Sequence, residues 1–268
     1  MKYSLILKSV AVAAAIAGAA PSFAATVTSS STPLQLVVTQ STGTLKLSDD
    51  VSNANSSVIG AFGVAGIAIT AAAPATLLSG TYPAPDDYAS YAYIQAPIQS
   101  LTFNDSTRAV TGVQSLGGLV QTVAKANAAS SGGNITVQNI RVDLTSKTLY
   151  ADVSGANGLA SSNIAFFNYT TLSGASTVPT LAAGQSATVN TTLAGLTLTA
   201  DGKAALIKGL GLRGIGLTTL NNLTDFGTLE SSITIKNVAA VPEPSTYALL
   251  GLGLAGAAFV ARRRQNRA

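Results

Sequence analysis

The chain has 268 residues, 15 Lys+Arg against 11 Asp+Glu, and no Cys, His or Trp. Without cysteine or histidine it can build no disulfide, no Ser-His-Asp or Cys-His nucleophile and no histidine-held zinc, so no cofactor or metal centre is expected and the fold must rest on its core. Six basic residues (Lys2, Lys8, Arg262, Arg263, Arg264 and Arg267) lie at the two ends, which leaves 15 − 6 = 9 basic and 10 acidic residues between Ala25 and Val241. The stretch between the ends is therefore close to neutral, and the pI of about 9.4 gives no reason to expect a nucleic-acid partner.

Lys2 and Lys8 flank the start of an apolar, alanine-rich run from Val10 to Ala20, and Ser22-Phe23-Ala24 puts small residues where a signal peptidase reads. Residues 1–24 are thus expected to be a signal peptide, used by the Sec export machinery and cut between Ala24 and Ala25. Residues 25–240 follow as one exported β-rich domain. Leu34–Val38 and Thr44–Leu47, parted by Ser-Thr-Gly, predict a first hairpin. Asp49, Asp50, Asn53 and Asn55 make a polar loop whose spacing does not fit an EF-hand, so a solvated turn is expected. Val58–Ala73 is apolar and punctuated by glycines, which predicts a buried strand pair or packed core segment.

A tyrosine cluster comes next. Tyr91 and Tyr93 alternate along a strand and share a face, and Tyr88 precedes them. Tyrosines so arranged suit a carbohydrate or small-ligand surface, but a half-buried sheet face is the more ordinary place for them. From Ile98 to Val153 the pattern predicts two hairpins, turning at Asn104-Asp105-Ser106 and at Thr145-Ser146-Lys147. Ile164–Leu172 reads as a further strand, Thr188–Leu193 with Leu196–Thr199 as a hairpin, and Ser231–Val238 as the last strand. Lys203–Leu210 is the one predicted helix, closed by Gly209 and Gly211. Gly209, Gly211 and Gly214 spell G-x-G-x-x-G, but a dinucleotide fingerprint needs a strand before it, and here a helix precedes it. Asp143 and Asp152 lie on neighbouring strands of one hairpin and could meet as a hydrolytic pair, though ten acidic residues always permit some pairing.

The C-terminus reads V-P-E-P-S-T, then an apolar run from Tyr247 to Ala261, then Arg262-Arg263-Arg264. Pro242 and Pro244 fix an extended, hydrated tripeptide around Glu243. The run is shorter than the roughly 20 apolar residues of a full membrane span, and the arginines form a stop on the cytoplasmic side. In order and position this tail, residues 241–268, resembles the PEP-CTERM sorting signal of exosortase substrates in Gram-negative bacteria. The resemblance implies recognition by an exosortase, cleavage near Pro242-Glu243-Pro244 after transient insertion of a short transmembrane helix in the inner membrane, and a link to extracellular polysaccharide.

The expected architecture is all-β: a single antiparallel β-sandwich-like domain with one short helix, flanked by the signal peptide and the C-terminal transmembrane helix. The expected role is a non-enzymatic structural or adhesive protein of the cell surface or extracellular matrix, associated with exopolysaccharide or biofilm. A surface carbohydrate- or small-ligand-binding module using Tyr88, Tyr91 and Tyr93 is the alternative, and a hydrolase using carboxylates the third.

Overall fold

A computed structural model describes residues 24–28, 36–49, 57–81, 89–126, 128–238 and 249–255. Strands β1 (Ala24–Thr28) and β2 (Leu36–Lys46) come first, then helix α1 (Val58–Ala65) and strands β3 (Ile67–Ala72), β4 (Thr76–Thr81) and β5 (Ala89–Ala96). A run of strands follows: β6 (Ile98–Asn104), β7 (Val110–Ser115), β8 (Gly118–Val123), β9 (Gly133–Asp143), β10 (Thr148–Gly155), β11 (Leu159–Asn168) and β12 (Thr171–Gly174). After them come β13 (Ser186–Ala194), β14 (Thr197–Leu198), helices α2 (Ala200–Leu210) and α3 (Ile215–Asn222), and β15 (Thr228–Asn237).

The strands form two antiparallel sheets. The larger, of nine strands, runs β1-β6-β7-β9-β10-β11-β14, with β8 also paired to β9 and β3 to β8; the smaller, of six, runs β12-β13-β15-β2-β5-β4. The alternation that made strands legible is the one that packs them. On β6, Leu101 and Phe103 are fully buried between half-exposed Ser100, Thr102 and Asn104, and on β9 Ile135 and Val137 do the same. Their inward faces make two apolar clusters: a large one around Leu119, Ile135, Leu149 and Phe166, and a smaller one around Leu101, Phe103, Val189 and Ile235.

Both central hairpins form as expected. At the β6–β7 turn Asn104 Oδ1 accepts from the amides of Ser106 (3.0 Å) and Thr107 (2.9 Å); at the β9–β10 turn Asp143 Oδ1 accepts from those of Thr145 (2.9 Å) and Ser146 (3.1 Å). An Asn or Asp side chain that binds backbone amides two and three residues on fixes such a turn.

Four expectations are corrected. The hairpin at Ser41-Thr42-Gly43 is instead one continuous strand, β2, whose bulge near Thr39 lets it pair along almost all of β15. Val58–Ala73 is a packed core segment, but its first half is helix α1: Ser57 Oγ accepts from Gly60 N at 2.9 Å, Val58, Ile59 and Phe62 face the core, and Gly66 closes the helix at φ 65°. Ile164–Leu172 is not one strand, because the chain leaves the larger sheet after Asn168 and joins the smaller one at Thr171; buried Tyr169 fills the corner and donates to Leu144 O at 3.3 Å. Likewise β13 and β14 belong to different sheets rather than to one hairpin.

Among the described residues before the tail, the expected single helix is one of three. It starts earlier than predicted, at Ala200, because Thr199 Oγ1 accepts from Gly202 N at 3.0 Å and caps it. Gly211 ends α2 in the left-handed region and Gly214 opens α3 at φ 48°, so the glycine triplet is a helix–helix turn preceded by a helix rather than a strand. At the far end of the chain, Asn237 closes β15: its Nδ2 donates to Leu181 O (2.7 Å), its amide to Gln185 O (2.9 Å), and its carbonyl accepts from Gly184 N (2.7 Å).

Candidate ligand face and sorting tail

The inner face of the smaller sheet is apolar, and its outer face carries hydroxyls, amides and tyrosines together with Leu78, Lys46, Glu230 and Lys236. On β5, Ala92 and Ile94 point inward and are buried, which turns Tyr91 and Tyr93 outward, as the alternation predicts. The two rings are 4.9 Å apart between centroids and tilted by 36°. Tyr91 is 36% exposed, and Leu78, opposite Tyr93 on β4, is 47% exposed. Opposite Tyr91 stands Gly80, whose missing side chain makes room for the Tyr91 ring. Lys46 Nζ lies 5.5 Å from the centre of the Tyr93 ring and bonds Glu230 Oε1 at 2.6 Å. The bond to Glu230 raises the Lys46 ammonium above its ordinary value.

The result is a flat apolar strip, two tilted rings and a leucine, bordered by one ion pair. Such a surface can cover the apolar face of a flat ligand while polar tips reach its rim. Tyr88 and the Pro/Asp-rich stretch before it lie outside the described residues, so the structure brings together two of the three predicted tyrosines.

Asp143 and Asp152 do not face each other: across the hairpin Asp143 pairs with Thr148 and Asp152 with Gln138. Asp143 is committed to the amides of its own turn, whereas Asp152 Oδ2 accepts from Asn139 Nδ2 (3.0 Å) and its Oδ1 from Asn163 N (2.9 Å). Asn139 and Asn163 both sit at positive φ, 55° and 54°, at irregularities of β9 and β11, so Asp152 pins two bulges from the strand between them. Asp49, from the polar loop, forms a bridge with Ser57. Among the described residues no group of three or more Asp or Glu side chains is placed to hold a metal ion.

Burial pushes the Asp143 carboxyl up, but the Ser146 and Thr145 amides and the nearby Arg141 outweigh it and hold the group below its ordinary 3.8. A depressed carboxylate stabilises the fold above its unfolded value and loses that contribution as pH falls through the folded one. Asp143→Asn keeps the oxygen that accepts both amides and removes the titration. Its acid unfolding curve, followed by circular dichroism below about pH 4, is expected to be shallower than that of the unaltered chain; an identical curve would refute the assignment.

Sequence reasoning missed a second aromatic and polar cluster, on the outer face of the larger sheet. Arg141 lies with its guanidinium 4.6 Å from the centre of the Tyr150 ring and donates from Nη2 to Asn163 Oδ1 at 2.6 Å. The signal was present in the register of a hairpin whose turn was correctly predicted, since Arg141 and Tyr150 are cross-strand partners. A void of about 50 Å³ between the sheets, walled by Leu45, Ile98, Val142 and Leu193, is only about a third of the roughly 150 Å³ that holds benzene in an apolar cavity, so it is too small for a ring of that size.

At the tail, residues 249–255 are helical, and Leu249, Leu250, Leu252 and Leu254 are 62–70% exposed. Among the described residues no helix is long and apolar enough to cross a membrane. Residues 1–23, Pro242-Glu243-Pro244 and Arg262–Arg264 lie outside the described residues; Ala24 and Ala25 pair with Asn104 and Phe103 at the start of β1.

Fold and tail together define an all-β, two-sheet protein that carries a C-terminal address. Residues 240–264 match the family model of the PEP-CTERM protein-sorting motif, which marks the chain as an exosortase-sorted extracellular protein. No curated protein sequence matches it. Among solved structures, the C-terminal domain of HtaA from Corynebacterium glutamicum is similar at 14% identity and a TM-score of 0.40, over 75% of this chain and 99% of that one.

Proposed function

We propose that this protein is a non-enzymatic structural or adhesive component of the cell surface or extracellular matrix, cut from its tail by an exosortase and associated with extracellular polysaccharide. The observation that carries the reading is the sorting motif at residues 240–264, with its helical apolar segment and terminal arginines. The body of the protein supports it. Asp143 and Asp152 each brace local backbone rather than one another, and the outer faces of both sheets carry many hydroxyl and amide groups, which hydrate well and hold no net charge.

Mass spectrometry of the C-terminal peptide from the native protein tests this. A chain ending close to Pro244, without Arg262–Arg264, is expected, and a chain ending at Ala268 would overturn the cleavage step. The tilted pair Tyr91 and Tyr93, backed by Gly80 and Leu78, favours a second reading, a surface carbohydrate- or small-ligand-binding module. Retention on immobilised extracellular polysaccharide that is lost in Tyr91→Ala would select that reading over a purely structural role.

A further inference from the structure

Two rows of side chains cross the outer face of the larger sheet. Ser100 on β6, Gln114 on β7 and Arg141 on β9 are in register in the first, and Thr102, Gly112 and Asp143 in the second. Their strand neighbours Leu101, Phe103 and Val142 are buried, so the rows face solvent. Gly112 has no side chain at the centre of the second row, and the gap is the floor of a groove of about 270 Å³ walled by the other five.

The groove offers one fixed donor and one fixed acceptor. Arg141 is braced from behind by the Tyr150 ring and by Asn163, and that single bond to Asn163 is the one its five N–H groups make among the described residues. Asp143, two residues along the same strand, is anchored by its turn amides and kept ionised. Ser100 and Gln114 add groups that both donate and accept. An anion entering here meets the Asp143 carboxylate and a cation meets the Arg141 guanidinium, so neither sign of charge is favoured. A hydroxyl-rich neutral ligand meets both requirements, because each hydroxyl accepts from the guanidinium and donates to the carboxylate. The volume lies below the range of about 300–1,000 Å³ usual for drug-sized ligands, which suits a single small ring.

We propose that this groove binds a neutral polyhydroxylated ring, such as one sugar unit, through hydroxyls that bridge Arg141 and Asp143. The site is separate from the Tyr91/Tyr93 face and belongs to the folded sheet, so it stands whether or not the tail is cut.

The test is a titration of the ¹⁵N-labelled full-length chain, in a detergent without a sugar headgroup, with D-glucose, D-mannose, D-galactose and myo-inositol. D-glucuronate and D-glucosamine serve as charged comparators. The expected result is that at least one neutral ligand shifts the amides of Gly112, Gln114, Arg141 and Thr145, with a dissociation constant on the order of millimolar. Arg141→Ala should weaken it by at least about tenfold and Arg141→Lys by several-fold, since lysine keeps the charge but loses the planar fork. Tyr91→Ala should leave it unchanged. The proposal is overturned by silent groove amides at about 100 mM of every neutral ligand, by tighter binding of either charged comparator, or by shifts that fall on β5. Wild-type binding by Arg141→Lys would also overturn it, and that variant keeps the cation that packs on Tyr150.

Discussion

A chain in which Pro242, Glu243 and Pro244 are all replaced by alanine is expected to be exported normally and then to stop in the inner membrane with its arginines still attached. A proline fixes its own φ and disfavours helix at the residue before it, so the sequence predicts extended backbone around Glu243. Three alanines reverse this. They are the best helix formers, and they would let the helix at 249–255 propagate towards the folded body. The recognition element would be wound up as well as stripped of its carboxylate. With a preorganised segment lost, the cleaved fraction should fall by at least about tenfold. Cell fractionation combined with mass spectrometry of the C-terminal peptide reads both halves of the expectation. A mutant found outside the inner membrane, or cut as efficiently as the parent, would show that the triplet is not what the sorting enzyme reads.

The largest effect on stability is expected from Phe103→Ala. Phe103 is 0% exposed at the centre of the smaller cluster, and the Arg108 guanidinium sits 5.2 Å from its ring centre. Arg108 in turn donates to Val178 O (3.1 Å) and Pro179 O (2.7 Å), so the ring supports the loop that folds Val178 into the core. Truncating a buried phenylalanine costs about 3–5 kcal/mol through lost transfer and the cavity left behind. A drop of this size is a large part of the total stability of a domain. Tyr91→Ala, on the outer face, should change stability by no more than about 1 kcal/mol. Urea unfolding of both variants, with unchanged slopes, measures the contrast. Equal losses would mean that the outer tyrosines are structural and that the two faces of β5 have been misassigned.

The expectations that held and those that failed separate along a physical line. Strand pattern, the two hairpin turns and the shared face of Tyr91 and Tyr93 were legible because each is decided within a few residues: alternation chooses the buried face, and each turn is closed locally, by Asn104 or Asp143. The sheet changes at Tyr169 and Gly195 were not legible, since both flanking segments are good strands and only tertiary contacts decide which sheet each one joins. Helix α1 was missed although Ser57 and Gly66 bracket it, because eight mostly apolar residues carry too little polar contrast to show a helical period. Arg141 escaped notice for a similar reason. Its meaning comes from Tyr150, Asn163 and Gly112, which lie on three other strands.

Asn237, clamped to residues 181–185, is the point where the described body ends before the sorting segment, and the strand it closes lies inside the smaller sheet, between β13 and β2, and not at an edge. Tension applied to the chain beyond it, along the axis of β15, is resisted in shear by ladders on both sides: nine residue pairs with β13 and ten with β2. Those ladders must yield together, whereas an edge strand would peel away one bond after another. A load on the chain beyond Asn237 is thus shared by two full ladders, one on each side of β15.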